Sequence, residues 1–186
     1  RLVNNMAVKN AQSSIERDQS RILTETAFLE TSDGAPLFAE MLKAHGFRQV
    51  QIDSAGNVVG ARDGAQDERF LAVAAHLKDA RAMAATLAAI RALDSERIRT
   101  ATGLLVVGLA DRHAAPKTPA TDYILRESSF KDRIRYLVVV ESREADRVSI
   151  APKTIGSTIV QLALESLMTL GMKPFIITHT KENMDI

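Results

Sequence analysis

The stretch Phe70-Leu-Ala-Val-Ala-Ala-His-Leu-Lys-Asp-Ala-Arg-Ala-Met-Ala-Ala-Thr-Leu-Ala-Ala-Ile-Arg-Ala-Leu93 decides the fold. Its first six residues are a continuous apolar run, the pattern of a strand covered on both faces. Over 79–93 the pattern changes to an Ala-rich segment with Met83, Leu87, Ile90 and Leu93 on one helical stripe. Asp79 stands where a carboxylate satisfies the free N–H groups and the dipole of a helix start. Leu104-Leu-Val-Val-Gly-Leu109 then reads as a second buried strand. Strand, helix and strand in this order form a crossover unit, which belongs to parallel sheets.

Working outward, Ile15, Ile22, Leu23, Ala27 and Leu29 predict one amphipathic helix over 8–29, stopped by Thr31-Ser-Asp-Gly34. A second helix over 36–45 carries Leu37, Phe38, Met41 and Leu42 and closes at Gly46. Val50 and Ile52, then Val58 and Val59, predict an antiparallel hairpin around Asp53-Ser-Ala-Gly-Asn57. Gly56, Asn57 and the 60–64 stretch read as turn residues rather than a phosphate cradle. Downstream come a helix over 119–128, a third buried strand Tyr136-Leu-Val-Val-Val140, and a helix over 156–170 closed by Gly171. Pro174-Phe-Ile-Ile-Thr178 is the last strand. The order predicts a single α/β domain over 1–186, a three-layer αβα arrangement around a mixed, mostly parallel sheet.

Composition narrows the function classes. Of 186 residues, 46% are apolar and 25% charged, which suits one globular domain with a sizeable core. The net charge of +1 provides no field to gather nucleic acid or an anionic membrane. With no cysteine, disulfides, thiolate zinc sites and a cysteine nucleophile are excluded. No apolar run approaches the roughly 18 residues of a membrane span. The polar 1–12 stretch lacks a signal-peptide core, so a cytoplasmic location is expected. Aromatic residues are only 4%, which leaves few rings for stacking on sugars or bases.

In open α/β sheets, ligands collect outside the carboxyl ends of the parallel strands. His76, the trio Asp111, Arg112 and His113, Glu141 and His179 each follow a predicted strand. Imidazole and carboxylate together are zinc donors, and without cysteine they are the metal chemistry open to this chain. Lys78 and Arg112 oppose a two-zinc site, because a cation beside a divalent metal raises its energy. The same residues, with His113, suit a small anion instead. No Gly-x-Gly-x-x-Gly, Gly-x-x-x-x-Gly-Lys-Ser/Thr, Gly-x-Ser-x-Gly or His-Glu-x-x-His motif occurs.

Three phrases carry a resemblance: Val50-Gln-Ile-Asp-Ser-Ala-Gly-Asn-Val-Val-Gly60, Phe70-Leu-Ala-Val-Ala-Ala-His-Leu77 and Asp79-Ala-Arg-Ala-Met-Ala-Ala-Thr-Leu-Ala-Ala-Ile90. In order and spacing they resemble the catalytic domain of the zinc-dependent exopeptidase and amidohydrolase family, which includes glutamate carboxypeptidase, tripeptide aminopeptidase and aminoacylase. Leu104-Leu-Val-Val-Gly108, Tyr136-Leu-Val-Val-Val-Glu141 and Leu170-Gly-Met-Lys-Pro174 extend it over nearly the whole chain from about residue 16.

The resemblance implies two zinc ions, an aspartate and a water bridging them, and a glutamate as general base. It places His76 on the His of a His-x-Asp pair, with Lys78 where the carboxylate belongs. With the gap after Leu77, Lys78 falls instead on the bridging Asp and Asp79 on the Asp that follows. Arg112 and His113 occupy the two glutamate positions, and Glu141 matches an acidic ligand. The metal candidates are therefore His76, Asp79 and Glu141, with Asp111, His113 and His179 as substitute ligands or base. The family's last His lies beyond Ile186. The inserted lid that carries the dimer contact is missing between about 148 and 156, so a monomer is expected.

With most ligands and the general base replaced, the expected function is a non-catalytic core, either a decayed relative or an engineered minimal scaffold. One alternative is a rebuilt mononuclear zinc site of His76, Glu141 and His113 or His179, with Asp111 as base, cleaving amide bonds of peptides or N-acyl amino acids. The other is a small-anion-binding module using Lys78, Arg112 and His113.

Overall fold

The computed structural model describes residues 5–31, 33–110, 120–143 and 158–179. Six strands form one sheet: β1 (Arg48–Ile52), β2 (Val58–Arg62), β3 (Asp67–His76), β4 (Thr102–Leu109), β5 (Ile134–Arg143) and β6 (Lys173–His179). Their order across the sheet is β1-β2-β4-β3-β5-β6. β3 lies between β4 and β5 and is parallel to both. β2 is antiparallel to β1 and β4, and β6 is antiparallel to β5. The mixed sheet thus has a parallel centre and antiparallel borders, and β1, β4, β3 and β5 share one direction.

The helices are α1 (Asn5–Arg17), α2 (Gln19–Thr31), α3 (Gly34–Ala44), α4 (Ala80–Ser95), α5 (Ala120–Arg126) and α6 (Thr158–Thr169). Alternation along the strands sorts the apolar residues to two faces. On one face Val73, Ala75, Leu104, Val106, Val138 and Val140 join α3, α4 and α6 in the larger core. On the other, Ala72, Ala74, Leu105, Val107, Leu137 and Val139 pack with Ile124 and Leu125 of α5 and with Phe130. Phe70 and Phe130 meet edge to face, their centroids 5.7 Å apart. The three layers expected from the sequence are present.

Two expectations need correction. The predicted helix over 8–29 is two helices broken at Asp18, whose carbonyl accepts from the N–H groups of Arg21 and Ile22 at the start of α2. The Asp18 side chain is drawn to Arg91 of α4, at 2.9 Å from its Nε. α1 and α2 pack chiefly on α4 and α6, adding an outer helical layer. This explains why α4 buries residues all around its circumference, from Ala82 through Leu87 to Leu93, as a helix enclosed on every side must. Its alanines keep it slim enough to be enclosed. Gly60 also departs from the turn reading, since it lies inside β2.

Only residues 77–79 connect β3 to α4. Leu77 N–H donates to Leu109 O at 2.8 Å, and Asp79 N–H to His76 O at 2.8 Å, which ties this link to the end of β4. Gly108 makes that approach feasible, because a Cβ there would sit 2.6 Å from Leu77 Cδ2. The 53–57 turn of the hairpin reaches the same edge. Its Asp53 Oδ1 accepts from the N–H groups of Ala55 and Asn57, and Asn57 Oδ1 accepts from Ala110 N–H at 2.9 Å.

Candidate functional site

The carboxyl ends of β3 and β5 bring His76 and Glu141 together. Ala74 pairs with Val139 in parallel register, so two residues further on the strands deliver His76 beside Glu141. His76 Nε2 stands 3.6 Å from Glu141 Oε1, a contact that is an ion pair when the imidazole is protonated. Both side chains are partly exposed, at 39% and 19%.

Asp79 is beside them but differently engaged. It caps α4, with Oδ1 accepting from Ala82 N–H at 3.0 Å. The same oxygen accepts from Ser142 Oγ at 2.5 Å, while Oδ2 accepts from Ser142 N–H at 2.8 Å. Asp79 therefore fastens the start of α4 to the end of β5. Next to it is an open pocket of about 500 Å³, lined by Glu30, His76, Lys78, Asp79, Ala80, Arg81 and Ser142. Lys78 and Arg81 are exposed in its rim.

Glu30, Arg81 and Ser142 were not identified from the sequence. Ser142 follows Glu141, and Arg81 lies in the first turn of α4, so their adjacency to identified residues was the available signal. Glu30 comes from α2, and nothing local in the sequence relates it to the strand ends.

Other candidates fall elsewhere. Asp111, Arg112 and His113 lie outside the described residues, as does the 148–156 junction where the lid would be inserted. Asn57 does fix Ala110, the residue before Asp111, to the hairpin. His179 is at the wrong end of the sheet. Because β6 is antiparallel to β5, His179 pairs with Leu137 while Phe175 pairs with Glu141. At about 3.3 Å per residue, four residues of β5 separate that pairing from Glu141 by roughly 13 Å of strand. The ends of strands share one edge only where the strands run in one direction, and β6 runs against β5.

The donor set falls short of a zinc centre among the described residues. His76 and Glu141 converge, but catalytic zinc takes three protein ligands and structural zinc four. Asp79 already accepts three hydrogen bonds, and no group of three or more His, Asp or Glu residues is placed to hold a metal among the described residues. The anion-module reading meets a different obstacle, since Lys78 and Arg81 share the crevice with Glu30, Asp79 and Glu141. The site carries both signs of charge.

Among the described residues, no helix is long and apolar enough to cross a membrane. No family description and no curated protein matches the sequence. Solved structures do match. A Staphylococcus aureus protein (methicillin resistant) described as an aminohydrolase is 13% identical, with a TM-score of 0.55 over 73% of this chain and 45% of its own. A hydantoinase/carbamoylase family amidase from Burkholderia ambifaria is 22% identical, with a TM-score of 0.46 over 55% of this chain and 32% of its own. A Zn-dependent exopeptidase from Parabacteroides distasonis is 12% identical, with a TM-score of 0.43 over 71% of this chain and 60% of its own. The chain spans about a third to a half of the length of the first two. It has the fold of the aminohydrolase over the span they share, which supports, at the level of fold, the peptidase and amidohydrolase resemblance read from the sequence.

Proposed function

We propose that the crevice at the ends of β3 and β5 binds a small ligand with both charges, a free amino acid or short peptide, without hydrolysing it. The observation that carries this reading is the mixed lining of the pocket: Lys78 and Arg81 on one side of the charge balance, Glu30 and Asp79 on the other. A ligand ammonium finds the Glu30 carboxylate there, and a ligand carboxylate finds an ammonium and a planar guanidinium able to engage both its oxygens. A purely anionic ligand would meet repulsion from the same carboxylates. The cations are exposed, and each exposed ion pair contributes roughly 0.2–1 kcal/mol, so affinity weaker than about 1 mM is expected.

Hydrolysis requires an activated water, and the family resemblance puts Arg112 and His113 where its two glutamates stand and Lys78 where a carboxylate belongs. The geometry of Asp79 supports this reading further, because its carboxylate anchors α4 and Ser142. Calorimetric titration with Gly-Gly, acetylglycine and glycine amide tests the proposal. Gly-Gly is expected to bind more tightly than either ligand that lacks one charge. Equal binding of all three, or release of free glycine from Gly-Gly in the presence of zinc, would overturn it.

One observation favours a second reading. His76 Nε2 and Glu141 Oε1 approach within 3.6 Å, close enough to share one cation. A mononuclear metal centre would need a further ligand from Asp111 or His113. It predicts near-stoichiometric zinc or manganese in the purified protein and its loss in His76→Ala; background metal content would sink this reading.

A further inference from the structure

A second cavity, of about 540 Å³, opens at the opposite edge of the sheet, where α4 ends and β4 begins. Its size is within the few-hundred to thousand cubic ångström range of small-molecule sites. Its walls are the end of β2 with the following loop, the last turn of α4, and the connection from α4 to β4. Ile98, half-buried, gives it an apolar component.

The two loops are fixed to each other. Ala65 N–H donates to Thr100 O and Gln66 N–H to Ala101 O, each at 3.0 Å. Gly64 is pressed so closely on the 101–103 backbone that any Cβ there would collide with Ala101 O. The cavity is therefore held open by backbone bonds, independently of any ligand.

Its charges are unbalanced in a specific way. Arg62 Nη1 pairs with Asp94 Oδ1 at 2.8 Å, and its guanidinium lies over the Phe47 ring at 5.2 Å. Asp63 is 4.0 Å from Arg133 Nη2. Both carboxylates of the lining thus face a cation already, whereas Arg97 and Arg99 have no ion-pair partner among the described residues. Arg97 also adopts φ 52°, the left-handed conformation that follows a helix end. Arg97 N–H bonds Asp94 O at 3.1 Å and Ile98 N–H bonds Leu93 O at 2.9 Å. Glycine is the usual occupant of this position, and a residue with a Cβ is strained there.

We infer that this cavity is a binding site for a small phosphate ester with an apolar or aromatic body. Arg97 and Arg99 supply the planar donor forks that suit phosphate oxygens, and Ile98 supplies apolar surface for the body. The site is remote from the strand-end crevice and does not depend on the function proposed for it.

Thermal unfolding of the full chain with phenyl phosphate, inorganic phosphate and benzyl alcohol tests this. At a concentration about ten times its Kd, phenyl phosphate is expected to raise Tm by about 3 °C or more, with the other two giving clearly smaller shifts. In the double variant Arg97→Gly and Arg99→Ala, the unliganded Tm should be unchanged or higher, because glycine relieves the left-handed strain, while the phenyl phosphate shift disappears. Arg99→Ala alone should weaken phenyl phosphate binding about tenfold, the loss of roughly one charge-assisted contact. No shift for wild type at 10 mM, a shift that persists in the double variant, or benzyl alcohol or inorganic phosphate matching phenyl phosphate would each overturn the inference.

Discussion

Ser142 donates twice to Asp79, from Oγ to Oδ1 at 2.5 Å and from the backbone N–H to Oδ2 at 2.8 Å. Since Oδ1 also accepts from Ala82 N–H, one carboxylate joins the first turn of α4 to the last residues of β5. Asp79→Ala removes a helix cap and leaves the Ser142 donors unmatched, at an expected cost of about 2–3 kcal/mol. Asp79→Asn keeps a good cap oxygen and should cost clearly less. Urea unfolding of both variants checks this ranking; equal losses, or none, would contradict the joining role.

Asn57 is wholly buried, with Nδ2 donating to Asp53 Oδ2 at 3.1 Å and Oδ1 accepting from Ala110 N–H. Asn57→Ala should destabilise by about 1–3 kcal/mol, the cost of a buried polar group left without its partner. Amide exchange is the sharper readout. Ala110 N–H is expected to exchange faster in the variant, while Val73 in the sheet centre stays protected to the extent that global stability allows.

Arg91 bridges the outer helices to α4, with Nη1 at 2.8 Å from both oxygens of Glu25 and Nε at 2.9 Å from Asp18. Its side chain is 11% exposed and that of Glu25 is 15% exposed. Arg91→Met fills most of the space but strands two partly buried carboxylates, so a loss of about 2–4 kcal/mol is expected. Arg91→Met combined with Glu25→Met and Asp18→Asn should recover much of it, because paired removal avoids uncompensated charge. Failure of the triple variant to recover would show that packing, not charge, dominates.

His45, at the end of α3, has its pKa lowered from 6.5, first by burial and next by the positive charge of Arg91. Arg21 acts in the same direction, and Glu25 and Asp94 oppose it. The folded state therefore prefers neutral imidazole more than the unfolded chain does. This contribution is fully present above about pH 6.5 and is lost as pH falls through the folded-state value. Denaturation midpoints between pH 8 and pH 5 should fall more in wild type than in His45→Gln. A wild-type midpoint that rises on acidification relative to the variant would contradict the sign.

Where the sequence pattern reports burial, the fold was legible. The run 70–75, the Ala-rich helix and the apolar strands of 104–109 and 136–140 each have one stable placement, between helical layers. The break at Asp18 is not legible in the sequence, where the partner of its side chain, Arg91, stands 73 residues away. Within the site, His76 and Glu141 were legible because parallel strands place their ends on one edge. His179 was misplaced because strand direction is a tertiary property that an apolar run of 174–178 does not encode. By sequence Asp79 suits both a helix cap and a metal ligand, and its hydrogen bonds to Ala82 and Ser142 engage both of its oxygens.

We propose that the strand-end crevice of this α/β fold, lined by charges of both signs, recognises a small ligand without cleaving it. The most direct measurement follows Gly-Gly with this protein and added zinc, recording binding heat and released glycine in the same sample. Saturable heat that is weakened in Lys78→Ala and Arg81→Ala, with no glycine released, is the predicted result. Zinc-dependent release of glycine that disappears in His76→Ala would contradict it.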